Sequence, residues 1–433
     1  MTAAPDIETE PGLHDSTPIA KPPWAGAIDA EFGLLVACCR WPPSTAHDAA
    51  IRAAAGRPID WDHFERVVKR HRVAGLVFHG LSRAGIEVPE TARQSLRDEA
   101  TVIARDGLTL CAETLRLQSR LDQARLHCAQ VKGASLAALA YGNLGIRHAK
   151  DIDLVVPRAE FPAACTLLEA AGYERQRPPP GTPDAVLSLW RRYAKDMEWR
   201  HRGKNIVLEM HWRLTNISSL AEGAADFSVL QPVKVSGSAI ISTLLPAQLF
   251  IYLCVHGASH AWNRLKWLAD IQALLADKSA TDIETYYRLA RETGTDRAVG
   301  QALLLCADVF GLELPLELAG VLHRSRVARL LGSLALLCMT RGKAETEIDQ
   351  LPFGTSLVAA SHFLLAKTPR AFMAEVASKS INLDDMLYWP LPARLTFLYW
   401  VLRWPLWLHR RWRRAGRGVA SAPPRGDSPS PWP

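Results

Sequence analysis

Asp151 and Asp153 stand two residues apart in the run Asp-Ile-Asp-Leu-Val-Val, and alternation along a strand sends both carboxylates to one face. Ile152, Leu154 and Val156 then face the other way. Two like charges held that close repel unless they share a cation or a proton. Arg147, Lys150 or a divalent metal are the local candidates for neutralising them. Oxygen ligands suit Mg²⁺ or Mn²⁺, which keep waters and complete their shells with substrate phosphates. The bland alternative is a solvated strand end that carries two Asp by chance. A third carboxylate, Glu209, falls on a later strand, sharing a face with Val207, His211 and Arg213, while Ile206, Leu208, Met210 and Trp212 share the other.

The elements that must position these groups follow from the same stretch. Leu126 to Val131 is a short apolar run suited to a buried strand. Lys132-Gly133-Ala134-Ser135 reads as a tight turn where backbone can approach a phosphate. Leu136 to Tyr141 has the composition of a short helix, whose N-terminus would present free N–H groups to an anion. Gly142, Asn143 and Gly145 end it. Lys195–Arg200 and Asn205–Leu214, either side of His-Arg-Gly-Lys, read as an antiparallel hairpin that carries Glu209. Pro232 to Thr243 has room for one more strand.

Taken together, these segments resemble a known pattern. Lys132-Gly133, Tyr141-Gly142, Arg147 before Asp151-Ile-Asp-Leu, Glu209-Met-His-Trp-Arg-Leu, and His256 with Trp267-Leu-Ala-Asp270 resemble a bacterial family of uncharacterised nucleotidyltransferases, within the polymerase-β-like nucleotidyltransferase superfamily. The likeness runs from about Asp60 to Leu275. It implies Asp151, Asp153 and Glu209 as metal ligands and catalytic groups, with Gly133 and Ser135 on the nucleotide phosphates. In one respect the chain departs from the superfamily: Ala134 separates Gly133 from Ser135, where Gly-Gly or Gly-Ser is usual.

At 433 residues the chain is long enough for two or three domains, and 48% hydrophobic with 22% charged residues reads as globular. The net charge of +7 is matched by seven arginines between Arg394 and Arg417, a span with no acidic residue. A near-neutral body argues against a broad nucleic-acid-binding face. Eight cysteines without a Cys-x-x-Cys pair read as reduced core thiols.

Apolar periodicity predicts packing helices over Ala27–Arg40, Trp61–Arg83, Pro89 to about Leu126, Arg158–Ala171, Ile283–Arg291, Asp296–Phe310 and Val327–Arg341. His71 and His79 read as structural histidines. In Leu245–Leu275, His256 with His260, His260 with Arg264, and Lys266 with Asp270 are spaced i, i+4. The histidine pair could bind zinc, but no Glu general base or third ligand accompanies it. Lys266 or Arg264 reaching toward nucleotide phosphates is the functional reading, and a solvated helix edge the alternative. Tyr388, Trp389, Phe397, Trp400, Trp404, Trp407 and Trp412 interleave with Arg, which suits a bilayer interface or a helix docked on the protein's own body. Arg394 and Arg403 interrupt any run long enough to span.

The expected fold class is α+β and mostly helical, with a small mixed sheet as nucleotidyltransferase core. The expected division is a disordered lead at 1–25, helices at 26–125, the α/β core at 126–243, a helical cap at 244–385, an aromatic and basic segment at 386–415 and a disordered tail at 416–433. The expected activity is transfer of a nucleoside monophosphate from a nucleoside triphosphate to an unidentified hydroxyl or phosphate acceptor, with pyrophosphate leaving. Two metal ions on Asp151, Asp153 and Glu209 would orient the donor, with Lys132, Gly133, Ser135, Arg147 and Lys266 around its phosphates. The alternatives are a nucleotide-sensing scaffold without turnover and a phosphotransferase acting on a peptide or sugar. The expected location is cytoplasmic, with peripheral contact at the inner face of the membrane through 387–412.

Overall fold

The computed structural model describes residues 29–215, 227–351, 353–380, 383–389, 391–395, 397–399, 402 and 405. The expected disordered lead and tail, and most of the segment at 386–415, lie outside these described residues.

Five strands form one mixed sheet: β1 (Ala129–Gln130), β2 (Asp151–Val155), β3 (Tyr173–Arg177), β4 (Asp196–His201) and β5 (Val207–His211), in the order β1-β2-β5-β4-β3. Only β2 and β5 run parallel. β4 and β5 are the expected hairpin. Where one strand was expected at Pro232–Thr243, the chain makes a second hairpin, β6 (Gln231–Ser236) and β7 (Ala239–Thr243), as a separate sheet. β3 went unread because its Tyr-Glu-Arg-Gln-Arg sequence buries only Tyr173 fully.

Five helices precede the sheet: α1 (Ala30–Cys38), α2 (Thr45–Ala55), α3 (Trp61–His71), α4 (Ala74–Ala84) and the 34-residue α5 (Glu90–Gln123). The single periodic run at 61–83 is two helices, because Arg72 caps α3 in the left-handed conformation at φ 57°. α2 is alanine-rich with Ile51 as its one fully buried residue, too faint a periodic signal to read. α6 (Gly133–Tyr141), α7 (Phe161–Ala170) and α8 (Asp184–Tyr193) lie within the sheet region. After it come α9 (Pro246–Ser259), α10 (Leu265–Leu275), α11 (Ala280–Glu292), α12 (Asp296–Phe310), α13 (Leu316–Arg324), α14 (Arg326–Thr340), α15 (Gly354–Leu365), α16 (Pro369–Ser380) and α17 (Leu383–Tyr388).

The sheet lies between two cores. Ile152, Leu154 and Val156, with Leu208, Met210 and Trp199, bury one face against Leu117 and Leu121 of α5, Leu168 of α7 and Trp190 of α8. Leu383, Met386 and Tyr399 join this core, so the described part of the aromatic C-terminal stretch docks on the body. Trp389 and Phe397 are exposed. A larger core unites α1, α3, α4, α6, α9, α10, α12 and α14, and reaches Val155 of β2. No helix among the described residues is long and apolar enough to cross a membrane. All eight cysteines are free, seven of them buried.

The loop from α6 into β2 is clamped by two helices at glycines. A Cβ on Gly75 of α4 would sit 2.3 Å from the Ile146 carbonyl oxygen, and one on Gly107 of α5 would sit 2.6 Å from that of Leu144. Neither carbonyl can yield without moving the loop that delivers Asp151. Gly75→Ala is therefore expected to destabilise the fold by about 1–3 kcal/mol despite alanine's better helix propensity. A urea melt checks the sign, and unchanged or raised stability would show that the loop is loosely held.

Candidate active site

The parallel pairing of β2 with β5 sets Asp153 directly opposite Glu209. Because both strands alternate in phase, their carboxylates and the His211 imidazole share the face turned from the Ile152 core. One ligand atom each from Asp153, Glu209 and His211 lie within 4.8 Å of one another. Asp151 stands two residues earlier on the same face, half-buried, and is not part of that trio. Lys132 closes the site from the turn after β1, with its Nζ 2.6 Å from Asp153 Oδ1. His211 Nε2 lies 3.3 Å from the same oxygen and 3.4 Å from Glu209 Oε2. Lys195 Nζ is 3.2 Å from Asp196 Oδ2 and 4.0 Å from Glu209 Oε2.

These contacts divide the carboxylates electrically. Burial alone would raise the Asp153 carboxyl, but Lys132 and His211 outweigh it and hold it well below the usual range. Glu209 is likewise held down, with His211 and Lys195 overcoming its burial. Asp151 goes the other way: burial, then repulsion from Asp153 and Glu209, pushes it up. Opposed by burial and Lys195, the carboxylates around His211 still raise its imidazole. The sequence expectation that only Arg147, Lys150 or a metal would neutralise the Asp pair is corrected here. Lys132 neutralises Asp153 directly, which sequence reasoning had given to the phosphate turn. His211 and Lys195 were not singled out either, although alternation had put His211 on the Glu209 face.

Gly133 opens α6 with φ 66°, a conformation that demands glycine, and a Cβ there would meet the Gln130 amide nitrogen at 2.8 Å. That amide is structural: Gln130 Oε1 accepts from the Ser135 N–H at 2.9 Å, and its Nε2 donates to Thr114. Ser135 is fully buried, and its hydroxyl meets the carbonyls of Gln130 and Lys132 at 2.9 and 3.1 Å. The Ser135 side chain thus shapes the turn from within.

Arg147 is drawn away from the carboxylates. Its Nε and Nη2 donate to the two oxygens of Asp270 at 2.9 Å each, deep in the protein, and Tyr141 Oη donates to the same carboxylate at 3.0 Å. One helical turn before Asp270, Lys266 is half-buried and makes no hydrogen bond or ion pair among the described residues. Burial, then Arg147 and Arg72, holds its ammonium well below the usual lysine range, while Asp270 and Asp151 pull the other way.

His256 and His260 pack on Trp267 rather than gathering ligands: His260 stacks on its ring at 4.8 Å, and His256 meets it edge-on at 5.6 Å and His260 at 4.9 Å. Burial, then nearby cations, keeps both imidazoles neutral. Among the described residues no third ligand joins them, so the zinc alternative gains nothing. A second acidic and histidine group, Asp29, Glu31 and His63, is tied up by structure: Glu31 caps the Asp60 N–H and His63 Nε2 meets the Lys343 carbonyl, both at 2.8 Å. A surface cleft of about 280 Å³ lined by Glu65, Arg66, Lys69 and Glu99 shares no residue with the carboxylate site.

Chemically, the β2–β5 face offers hard oxygen donors beside a buried imidazole and two ammonium groups, a set able to hold a divalent cation together with phosphates. A comparison with curated proteins finds no match to the chain. A family model described as uncharacterised nucleotidyltransferase matches residues 57–311, which takes in the whole sheet, the carboxylates and Asp270. Covering more than half of the chain, that match shows that the protein belongs to this nucleotidyltransferase family.

Proposed function

We propose that the protein is a metal-dependent nucleotidyltransferase of the polymerase-β-like kind, which moves a nucleoside monophosphate from a nucleoside triphosphate to a hydroxyl or phosphate acceptor. The acceptor oxygen bonds to the α-phosphorus, the bond to the β-phosphate's bridging oxygen breaks, and pyrophosphate leaves. A hydroxyl acceptor's proton passes to solvent or to a carboxylate of the site. The observation that supports this reading is that the parallel β2–β5 pair sets Asp153 opposite Glu209, with Asp151 two residues earlier on the same face.

Their fit to a metal rests on the donor set itself. Asp151 makes no ion pair or hydrogen bond among the described residues and is pushed toward its neutral form, the mark of a carboxylate lacking a cation. Mg²⁺ or Mn²⁺ bound to Asp151, Asp153 and Glu209 would neutralise charge building on the phosphate oxygens. The Gly133 turn lets backbone approach the donor's phosphates, with Ser135 bracing it from behind. Lys132 and Lys266 supply positive charge from opposite domains of the proposed division at 126–243 and 244–385. Arg147 acts by position, holding the loop before Asp151 against α10. The acceptor is not taken to be nucleic acid, and a peripheral contact with an anionic membrane through 387–412 stays part of the proposal.

Release of pyrophosphate, measured with Mg²⁺ and each of the four nucleoside triphosphates, tests the reaction. Nucleoside diphosphate as the product would favour phosphotransfer to a peptide or sugar, and binding without any product would favour a sensor. Lys266→Met gives a separate check. Removing a desolvated ammonium that makes no ion pair among the described residues should leave the ligand-free protein as stable as before or more so. It should also weaken a non-hydrolysable triphosphate roughly tenfold, the worth of one charged hydrogen bond. Calorimetry reads both quantities, and a destabilised variant with undiminished affinity would make Lys266 structural.

A further inference from the structure

Paired carboxylates that serve phosphoryl transfer commonly offer two cation positions. In this protein an ammonium of the chain already stands at one of the carboxylates. Lys132 Nζ stands 2.6 Å from Asp153 Oδ1, where the side chains of the pair are 13% and 2% exposed. The same oxygen faces His211 Nε2 at 3.3 Å, so two basic groups already converge on it. Asp151, by contrast, meets no cation at ion-pair distance among the described residues, and Glu209 meets His211 Nε2 at 3.4 Å and Lys195 Nζ only at 4.0 Å.

The backbone that carries Lys132 has little freedom to withdraw. The Val131 N–H donates to the Asp153 carbonyl, β1 is registered on β2 through Gln130 and Leu154, and the Lys132 carbonyl accepts from the Ser135 hydroxyl. Gly133 next to it is held in its left-handed conformation. An ion that took Asp153 Oδ1 would need to sit about 2.1 Å from it, which brings a divalent charge against the ammonium already seated at that oxygen, 2.6 Å away. An ion held chiefly by Asp151 would displace no ion pair among the described residues, and Glu209 could join it beside His211 and Lys195.

We propose that Lys132 is a built-in cation that fills one of the two positive positions of this site, so that the protein binds a single divalent ion and meets the substrate's phosphate oxygens with an ammonium. The proposal rests on the metal-dependent reading above and replaces the two-ion arrangement expected from the sequence. It also gives the carboxylates distinct duties: Asp153 anchors the ammonium, while Asp151 and Glu209 are the chief ligands of the ion. Lys132 then touches the donor's phosphates, as a catalytic residue, through the same Nζ that holds Asp153.

The test counts ions and does not depend on turnover. The full chain is titrated with Mn²⁺ by calorimetry, with and without a non-hydrolysable nucleoside triphosphate, and bound Mn²⁺ is followed by electron paramagnetic resonance. Wild type is expected to bind one Mn²⁺ per chain. Lys132→Met, which vacates the position while keeping the length of the side chain, is expected to bind two, with a spin-coupled spectrum from the adjacent ions. Should Lys132→Met fail to fold, Lys132→Gln serves in its place, and the wild-type count still decides. Two ions in wild type, or one ion in both proteins, would overturn the proposal while leaving metal-dependent transfer standing. No Mn²⁺ bound by wild type would overturn both.

Discussion

Asp151→Asn is expected to abolish nucleotidyl transfer, by roughly 10³-fold or more, while leaving the metal-free protein as stable as wild type or more stable. The two halves of that result come from one cause. In the folded protein burial and the charges of Asp153 and Glu209 push the Asp151 carboxyl up to about 6, so at neutral pH it is ionised at a cost. A carboxyl whose folded pKa lies above its unfolded value of 3.8 contributes its stability below that value and loses it as pH rises toward the folded pKa. Metal-free wild type should therefore carry the full penalty above about pH 6, and Asp151→Asn should remove it. Melting curves in chelator at pH 5 and pH 8 give the comparison: the variant should gain on wild type at pH 8 and match it more closely at pH 5. In Mg²⁺ with a triphosphate analogue the wild type should regain its deficit by mass action, and the variant should not respond. A variant that melts lower at pH 8, yet still gains from metal, would mean that Asp151 serves the fold rather than the cation.

Asp153 does not give the same result, because its charge is already matched. Asp153→Asn would leave the Lys132 ammonium buried beside a neutral amide, and losing one partner of a buried pair is destabilising where losing an unpaired charge is not. The neighbouring aspartates of one short strand thus answer the same substitution with opposite signs.

That difference was not legible in the sequence, and the reason is physical. Alternation along β2 and β5 gives direction, and it alone puts Asp151 with Asp153, and Glu209 with His211, on common faces. It says nothing about which cation arrives from another element. Lys132 sits next to a glycine in a turn, which suggested phosphate, and its reach to Asp153 depends on β1 running antiparallel to β2. The fold class was legible for a related reason: the long helices repeat their apolar positions, and the hairpin carries its own turn. The split at Arg72 was not, since a non-glycine residue at positive φ leaves no mark on periodicity. Arg147 was read as a phosphate ligand because it stands beside the aspartates, whereas its partner Asp270 lies 123 residues away.

That distant pair gives the largest expected effect on stability. Arg147 and Asp270 are both almost fully buried and joined by two 2.9 Å hydrogen bonds, and Tyr141 Oη supplies a third to the carboxylate. Asp270→Asn keeps the shape but leaves a guanidinium without its counter-charge in the core, which costs about 3–5 kcal/mol. Chemical denaturation should show that loss in full. Arg147→Met with Asp270→Leu removes both charges together, and the double variant should recover part of the loss, short of full recovery because the Tyr141 hydroxyl is then stranded. A loss under about 1 kcal/mol from Asp270→Asn would mean that water reaches the pair and that it behaves as a surface contact. Activity should fall too, through the same geometry. Asp270 lies one helical turn beyond Lys266 on α10, so the pair fixes both the loop that delivers Asp151 and the face that carries Lys266. Releasing it should raise KM for the triphosphate in folded Asp270→Asn, whereas a pair that only held the core together would leave KM of the surviving folded protein unchanged.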